Sequence, residues 1–297
     1  MNDSARLRWF WLAVLLIALA AAWPELSQPG LLNTRGGGDS PFLLQRLHQL
    51  ETAVLDNHFP VRWMPDANYG FGYPFYNFYA PLSIYITFLF RLLGFSFVRA
   101  IHLSHLLGYL VAAGGSFALA RRWFGRSRPG SEWAGLLAAA AYTVAPFHLV
   151  NVYVRGDSLA EFWAMAFYPL VILAADGLVG GGRRQVALFA LAYAALILSH
   201  NISAMIFSPF VLLYLLLKFL PQRAQRKERE MFAVAGVPTA PPGGIPNLQA
   251  PSSKLQAARP GGQPQHGQSP ASSSPSPSLP GSSCPPWRSN RWRSWAR

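Results

Sequence analysis

The sequence predicts an all-α, polytopic transmembrane protein with a large first outer loop carrying juxtamembrane helices, and a disordered C-terminal tail. Three observations predict it. Of 297 residues, 52% are hydrophobic and only 12% are charged, where a soluble domain carries about 25% charged residues. Apolar runs long enough to enter a membrane recur from the N-terminus to about residue 220. The arginines of that region gather in short loops between the runs, which is the positive-inside pattern.

The first run is Trp9 to Trp23, flanked by Arg6 and Arg8. It is short for a span, which usually takes about 20 residues. It reads as an uncleaved anchor with aromatic residues at both ends, or as a signal peptide with Ala18-Leu19-Ala20 as cleavage signal. Either way the following segment starts outside the cytoplasm. Residues 24–79 are polar and aromatic and hold five acidic residues. Within them Ser40 can cap a helix and Pro41 suits its first turn. Leu43, Leu44, Leu47, Leu50 and Val54 then recur at helical spacing, predicting an amphipathic helix on the membrane surface from about Pro41 to Asp56.

Six apolar segments follow, at about 80–98, 101–120, 133–150, 159–178, 185–200 and 203–220. Three basic loops should be cytoplasmic: Arg121, Arg122, Arg126 and Arg128; Arg183 and Arg184; and Lys218, Arg223, Arg226, Lys227 and Arg229. That choice delivers Arg155-Gly156-Asp157 and His200-Asn201 to the outer face, where Asp39 already lies. It leaves one net crossing between the outer loop at 24–79 and the inner loop at 121–128. Two apolar segments occupy that stretch, so 80–98, with Pro81, Arg91, Gly94 and Arg99, is expected not to cross as a simple span but to be re-entrant or interfacial.

The domains expected are 1–230, a multispan membrane domain, and 231–297, a low-complexity tail of Pro, Ser, Gly and Gln that cannot bury enough surface to order itself. The change in composition is abrupt enough that a frameshifted or read-through end explains it equally well. Residues 221–297 hold ten Lys/Arg against two Glu, so +8 of the net +13 lies there. The remainder is dispersed in loops, which argues against a basic nucleic-acid groove. The one cysteine, Cys284, rules out an intrachain disulfide and a zinc site built on several thiolates. No phosphate-binding, dinucleotide-binding, zinc-protease or serine-hydrolase motif is present.

Ionisable groups gathered at one membrane face mark a functional site by default. Asp39 follows Gly36-Gly37-Gly38 and precedes a helix start. It can serve as general base or metal ligand, or simply as a capping aspartate. Asp157 can share a divalent cation with Asp39, with Glu161 one helical turn beyond, or it can cap the next helix. Arg155 suits a phosphate oxygen, or a surface pair with an aspartate. His200 and Asn201 are a polar helix end or a phosphate-binding pair. Tyr73 and Tyr76 lie in the aromatic stretch from Asn68 to Pro81, whose rings suit sugars, isoprenoid chains or an interfacial belt. His102 and His105 share a helix face without a carboxylate beside them, which suits structural roles.

Gly38-Asp39 running into an amphipathic helix, Tyr69-Gly-Phe-Gly-Tyr-Pro-Phe-Tyr, Tyr79-Ala-Pro-Leu, Arg155-Gly-Asp and Ser199-His-Asn occur here in that order. Together they resemble bacterial multispan proteins labelled "membrane protein, 6-pyruvoyl-tetrahydropterin synthase-related", which in turn resemble GT-C glycosyltransferases in plan. The resemblance covers about residues 1–220. It implies a bacterial inner-membrane, multi-pass protein with its polar site on the extracytoplasmic face. It further implies transfer of a sugar from a polyprenyl-phosphate donor, with Asp39 and Asp157 as catalytic carboxylates. Asp39, Asp157 and Glu161 would be ligands of Mg²⁺ or Mn²⁺, and Arg155, His200, Asn201, Tyr73 and Tyr76 would bind substrate. GT-C proteins usually have more spans and often a further outer domain, so the part that holds the carrier lipid would lie outside this chain. Nothing supports pterin chemistry, which needs a zinc-binding histidine cluster. The alternative is a non-catalytic lipid-binding scaffold or a transporter or flippase component.

Overall fold

A computed structural model of the chain describes residues 3–31, 40–155 and 158–234, so Asp39, Gly156, Asp157 and the tail from residue 235 lie outside the described residues. The chain divides between Thr239 and Ala240, and everything described falls in the first unit. Ten helices, and no strand beyond a single bridge between Met64 and Tyr73, occur among the described residues. They are α1 (Asp3–Leu26), α2 (Ser40–Leu55), α3 (Phe75–Phe78), α4 (Leu82–Leu92), α5 (Phe97–Phe124), α6 (Ser131–Thr143), α7 (Pro146–Tyr153), α8 (Leu159–Leu178), α9 (Arg183–Ser199) and α10 (Asn201–Val234).

Among the described residues, five segments are long and apolar enough to cross a membrane: Ala5–Leu26, Phe97–Phe124, Ser131–Tyr153, Leu159–Leu178 and Asn201–Leu220. The third is the stretch read as one run at 133–150, and it holds a break. Pro146 has no N–H to donate and forces Ala145 out of helical geometry, to φ −52° and ψ 135°, so α6 stops and α7 restarts. α9 has 17 residues, close to the lower limit for a span. α4 has 11 residues and rises about 16 Å, roughly half of a ~30 Å hydrocarbon layer. Taken alone it is too short to cross. The basic stretch from Lys218 to Arg229, expected as a loop, instead continues α10.

α5 is the central post, packed against α1, α4, α6 and α8. Small residues allow the close approach: a Cβ added at Gly108 would stand 2.3 Å from a ring carbon of Phe162 on α8. Polar side chains stitch the same helices. The Thr87 hydroxyl of α4 donates to Ser104 Oγ at 2.8 Å, and the Trp163 indole of α8 donates to the same oxygen at 3.0 Å. A second, smaller core of Ala164, Val171, Leu196, Ala204 and Val211 joins α8, α9 and α10.

α2 buries Leu43, Leu47, Leu50 and Ala53 and exposes Phe42 and Leu55. It packs on α4 and α5, and its position is fixed by charge. Arg91 of α4 meets Glu51 of α2 through two nitrogens, at 3.0 and 2.9 Å, while stacking 3.8 Å over the Phe97 ring.

The two ends of the helices differ in chemistry. At one end Arg6 and Arg121 meet Glu132. There Asp176 of α8 gathers Arg122 of α5, Lys218 of α10 at 2.9 Å and the Tyr214 hydroxyl at 2.6 Å. Arg155, Tyr79 and His200 lie at the other end. Replacing Asp176 by Ala leaves two cations without their carboxylate. It should lower stability by about 2 kcal/mol, between the values for exposed and buried pairs. A melting-temperature drop in detergent that is absent on replacing exposed Asp56 would show it.

Candidate functional site

Three turns at the end away from the arginine-rich loops build the site. The first turn joins α3 to α4 through Tyr79-Ala80-Pro81, the second follows α7, and the third is the single residue His200 between α9 and α10. α2 lies alongside. These pieces enclose a cavity of about 330 Å³ whose polar lining includes Arg46, Tyr79, Ser83, Arg155, Glu161 and His200.

Arg155 and Glu161 flank the turn into α8 and form an ion pair, and Arg155 also donates to Asn151 Oδ1 at 2.8 Å. Glu161 sits in the first turn of α8, where the helix dipole favours a carboxylate. It is the one carboxylate among the cavity residues, and a guanidinium already engages it. Among the described residues no three His, Cys, Asp or Glu side chains form a metal-holding group. A divalent ion would require Asp39 and Asp157, which lie outside the described residues.

His200 caps α10. Its Nδ1 accepts the Ser203 backbone N–H at 3.3 Å and lies 2.7 Å from the Ser203 hydroxyl. With Nδ1 committed as acceptor, the neutral ring carries its proton on Nε2 and keeps that group as a donor. Burial lowers the His200 pKa below the usual imidazole value, aided by Arg155 and opposed by Glu161. The ring stands 6.1 Å from that of Tyr79, edge to face.

The structure therefore brings together Arg155, Glu161 and His200. Asn201 stands beside them but is spent on the backbone, donating to the Phe78 carbonyl at 3.1 Å. Tyr76 is behind the wall rather than in it: it is buried and its hydroxyl donates to the Arg46 carbonyl at 2.6 Å. Burial raises its phenol pKa, so it remains a donor at neutral pH. Tyr73 is half exposed and pairs by backbone with Met64. It belongs with exposed Tyr69, Phe71 and Phe78 to an aromatic rim, the character of an interfacial belt.

Sequence reasoning missed three residues of the wall, Arg46, Tyr79 and Ser83. The signal for Arg46 was an arginine between Leu43 and Leu50, at the spacing of the apolar stripe of α2. It also misread one neighbourhood. His102 and His105 do have a carboxylate beside them, because the end of α1 brings buried Glu25 Oε1 to 2.8 Å from His105 Nδ1 and 3.8 Å from His102 Nε2. Local sequence cannot show a partner 80 residues away.

The cavity belongs to a matched region. The family model described as "6-pyruvoyl-tetrahydropterin synthase related domain; membrane protein" matches residues 76–240. The chain belongs to this family. An uncharacterized protein of Lactococcus lactis subsp. cremoris is 28% identical over 220 residues, which is 70% of this chain and 33% of that protein. The chain thus spans about a third of the length of this curated relative. No solved structure matches it. In this 6-pyruvoyl-tetrahydropterin synthase related protein the matched segment holds α4 to α10, and with them every cavity residue except Leu43 and Arg46 of α2.

The lowered His200 pKa has a measurable sign. As pH falls from 6.5 toward the lower folded value, the unfolded chain takes up its proton before the folded one does. Stability contributed by the neutral ring is therefore complete above the ordinary value and lost below it. Melting curves from pH 7.5 to pH 5 should fall less steeply for His200→Gln than for the unaltered protein.

Proposed function

We propose that this membrane protein is glycosyltransferase-like and handles a sugar linked to polyprenyl phosphate, on the face opposite the arginine-rich loops, which would be the extracytoplasmic face of a bacterial inner membrane. The observation that carries the reading is the convergence of Arg155, Glu161 and His200 with Arg46 and Tyr79 in one cavity, although they come from four separate parts of the chain. A half-enclosed site with guanidinium groups, a neutral imidazole donor and an aromatic wall suits a phosphate joined to a sugar.

In this reading Asp39 is the general base that removes the proton of the acceptor hydroxyl. The glycosyl–phosphate bond breaks as the new glycosidic bond forms, and the phosphate leaves with its negative charge. Arg155 and the Nε2–H of His200 offset that charge by hydrogen bonding to the phosphate oxygens. A Mg²⁺ or Mn²⁺ ion would enter through Asp39 and Asp157, with Glu161 joining only by releasing Arg155. The ion would supply further neutralisation of the leaving group.

Membranes containing the protein should release the sugar from a labelled polyprenyl-phosphate donor, and Asp39→Asn should slow that release by about 10²–10⁴-fold. Retention of full transfer by Asp39→Asn removes the assignment. The shared face is checked separately. After replacement of Cys284 by Ser, single cysteines at positions 39 and 157 should both react with an impermeant thiol reagent from the same side of the membrane.

The second reading is a non-catalytic lipid-binding scaffold or a transporter or flippase component. It is favoured by another cavity of about 330 Å³, almost wholly apolar, lined by Leu119, Trp123, Tyr168, Ile172 and Phe207 among others. Such a groove suits a hydrocarbon chain and contains no reactive group. Binding of the lipid without sugar release selects this reading.

A further inference from the structure

The cavity holds two arginines in different electrostatic states. Arg155 is compensated, since Glu161 faces it and Asn151 fixes it from behind. Arg46 is not. Its guanidinium carbon lies 4.7 Å from the centroid of Phe75 and 5.2 Å from that of Tyr79, and these two rings stack at 4.9 Å. No carboxylate among the described residues pairs with it. By contrast Arg6, Arg91, Arg121, Arg122 and Arg155 each meet a glutamate or aspartate.

A guanidinium held against aromatic rings keeps its N–H groups available to an anion. The Tyr76 hydroxyl donates to the Arg46 carbonyl, which fixes the base of the side chain. A half-buried cation without a counter-charge is costly, and an anion with two in-plane acceptors removes that cost.

We propose that Arg46 is the anchoring phosphate receptor of the cavity, presenting a bidentate fork to two oxygens of a phosphate group, while Arg155, tied to Glu161, is the lesser contact. This rests on the cavity being a ligand site, as argued above, and adds α2 to the phosphate contacts assigned there to Arg155 and His200. The phosphate belongs either to a lipid headgroup or to a soluble phosphate ester.

The test uses the full chain in lipid nanodiscs, with polyprenyl phosphate titrated in one arm and inorganic phosphate in the other. Arg46→Gln should weaken binding by about 10–100-fold. Arg46→Lys, which keeps the charge but loses the fork and the stacking, should fall between. Arg62→Gln, at an exposed arginine outside the cavity that contacts Asn77, should bind as the unaltered protein does. Dependence on Arg46 in the lipid arm alone identifies a headgroup, and dependence in both arms identifies the phosphate group itself.

Unchanged affinity in Arg46→Gln overturns the proposal, as does failure of the unaltered protein to bind either probe. If Arg46→Gln does not fold by melting temperature, Tyr79→Leu removes part of the aromatic shelf and should weaken binding several-fold, and unchanged affinity there is equally fatal. Arg46-dependent binding without sugar release sinks the transferase reading and leaves this one standing. Sugar release unaffected by Arg46→Gln does the reverse.

Discussion

An eleven-residue helix cannot reach across a lipid bilayer, and the arrangement of this molecule follows from that limit at α4. If α4 crossed, α2 and the turns that carry Arg155 and His200 would stand at opposite ends of the helices. Because it stops short, the chain re-enters through α5 from the end it had just left. Arg46, Tyr79, Arg155 and His200 can then share one cavity. The helix is held there by Thr87 against Ser104 and by Arg91 against Glu51. The second contact uses charged side chains that a lipid-facing span would not tolerate.

Electrostatics separates the two ends. Asp176 draws Arg122, Lys218 and the Tyr214 hydroxyl onto one buried carboxylate, closing α5, α8 and α10 at the arginine-rich end. Arg122, Lys218 and Asp176 are spent on one another, which makes this group a fastening. At the other end Glu161 compensates one arginine of the cavity, while Arg46 lies against Phe75 and Tyr79 and pairs with no carboxylate among the described residues. Incomplete compensation inside a half-closed space is what distinguishes a place for a ligand from a structural ion pair.

Burial carries the same division into hydrogen bonding. Tyr76 was expected among substrate-binding residues, yet its ring is buried and its hydroxyl supports the backbone of α2. Tyr73, three residues earlier, is exposed with the aromatic rim. Neighbouring tyrosines in one motif thus serve different ends, because Tyr76 lies in α3 and reaches the α2 backbone while Tyr73, half exposed, lies in the bridge before it. His200 illustrates the converse. A polar residue at a helix end becomes a defined donor once Ser203 has claimed its other nitrogen.

Local sequence determined the helices themselves. Apolar runs and their periodicity located α1, α2, α5, α8 and α10, and the parity of the basic loops led to the expectation that the segment around α4 does not cross as a simple span. Pro146 was visible too, though the break it causes was read through because the apolar run continues on both sides. Partners distant in the chain were decided by tertiary structure alone. Glu25 beside His105, Glu51 beside Arg91 and Arg46 over Phe75 and Tyr79 lie 80, 40 and about 30 residues apart. Periodicity reports which face of a helix is apolar, because that is set by its own 3.6-residue turn. It carries no information about which other helix will meet that face, and the charge balance of a cavity depends on that meeting.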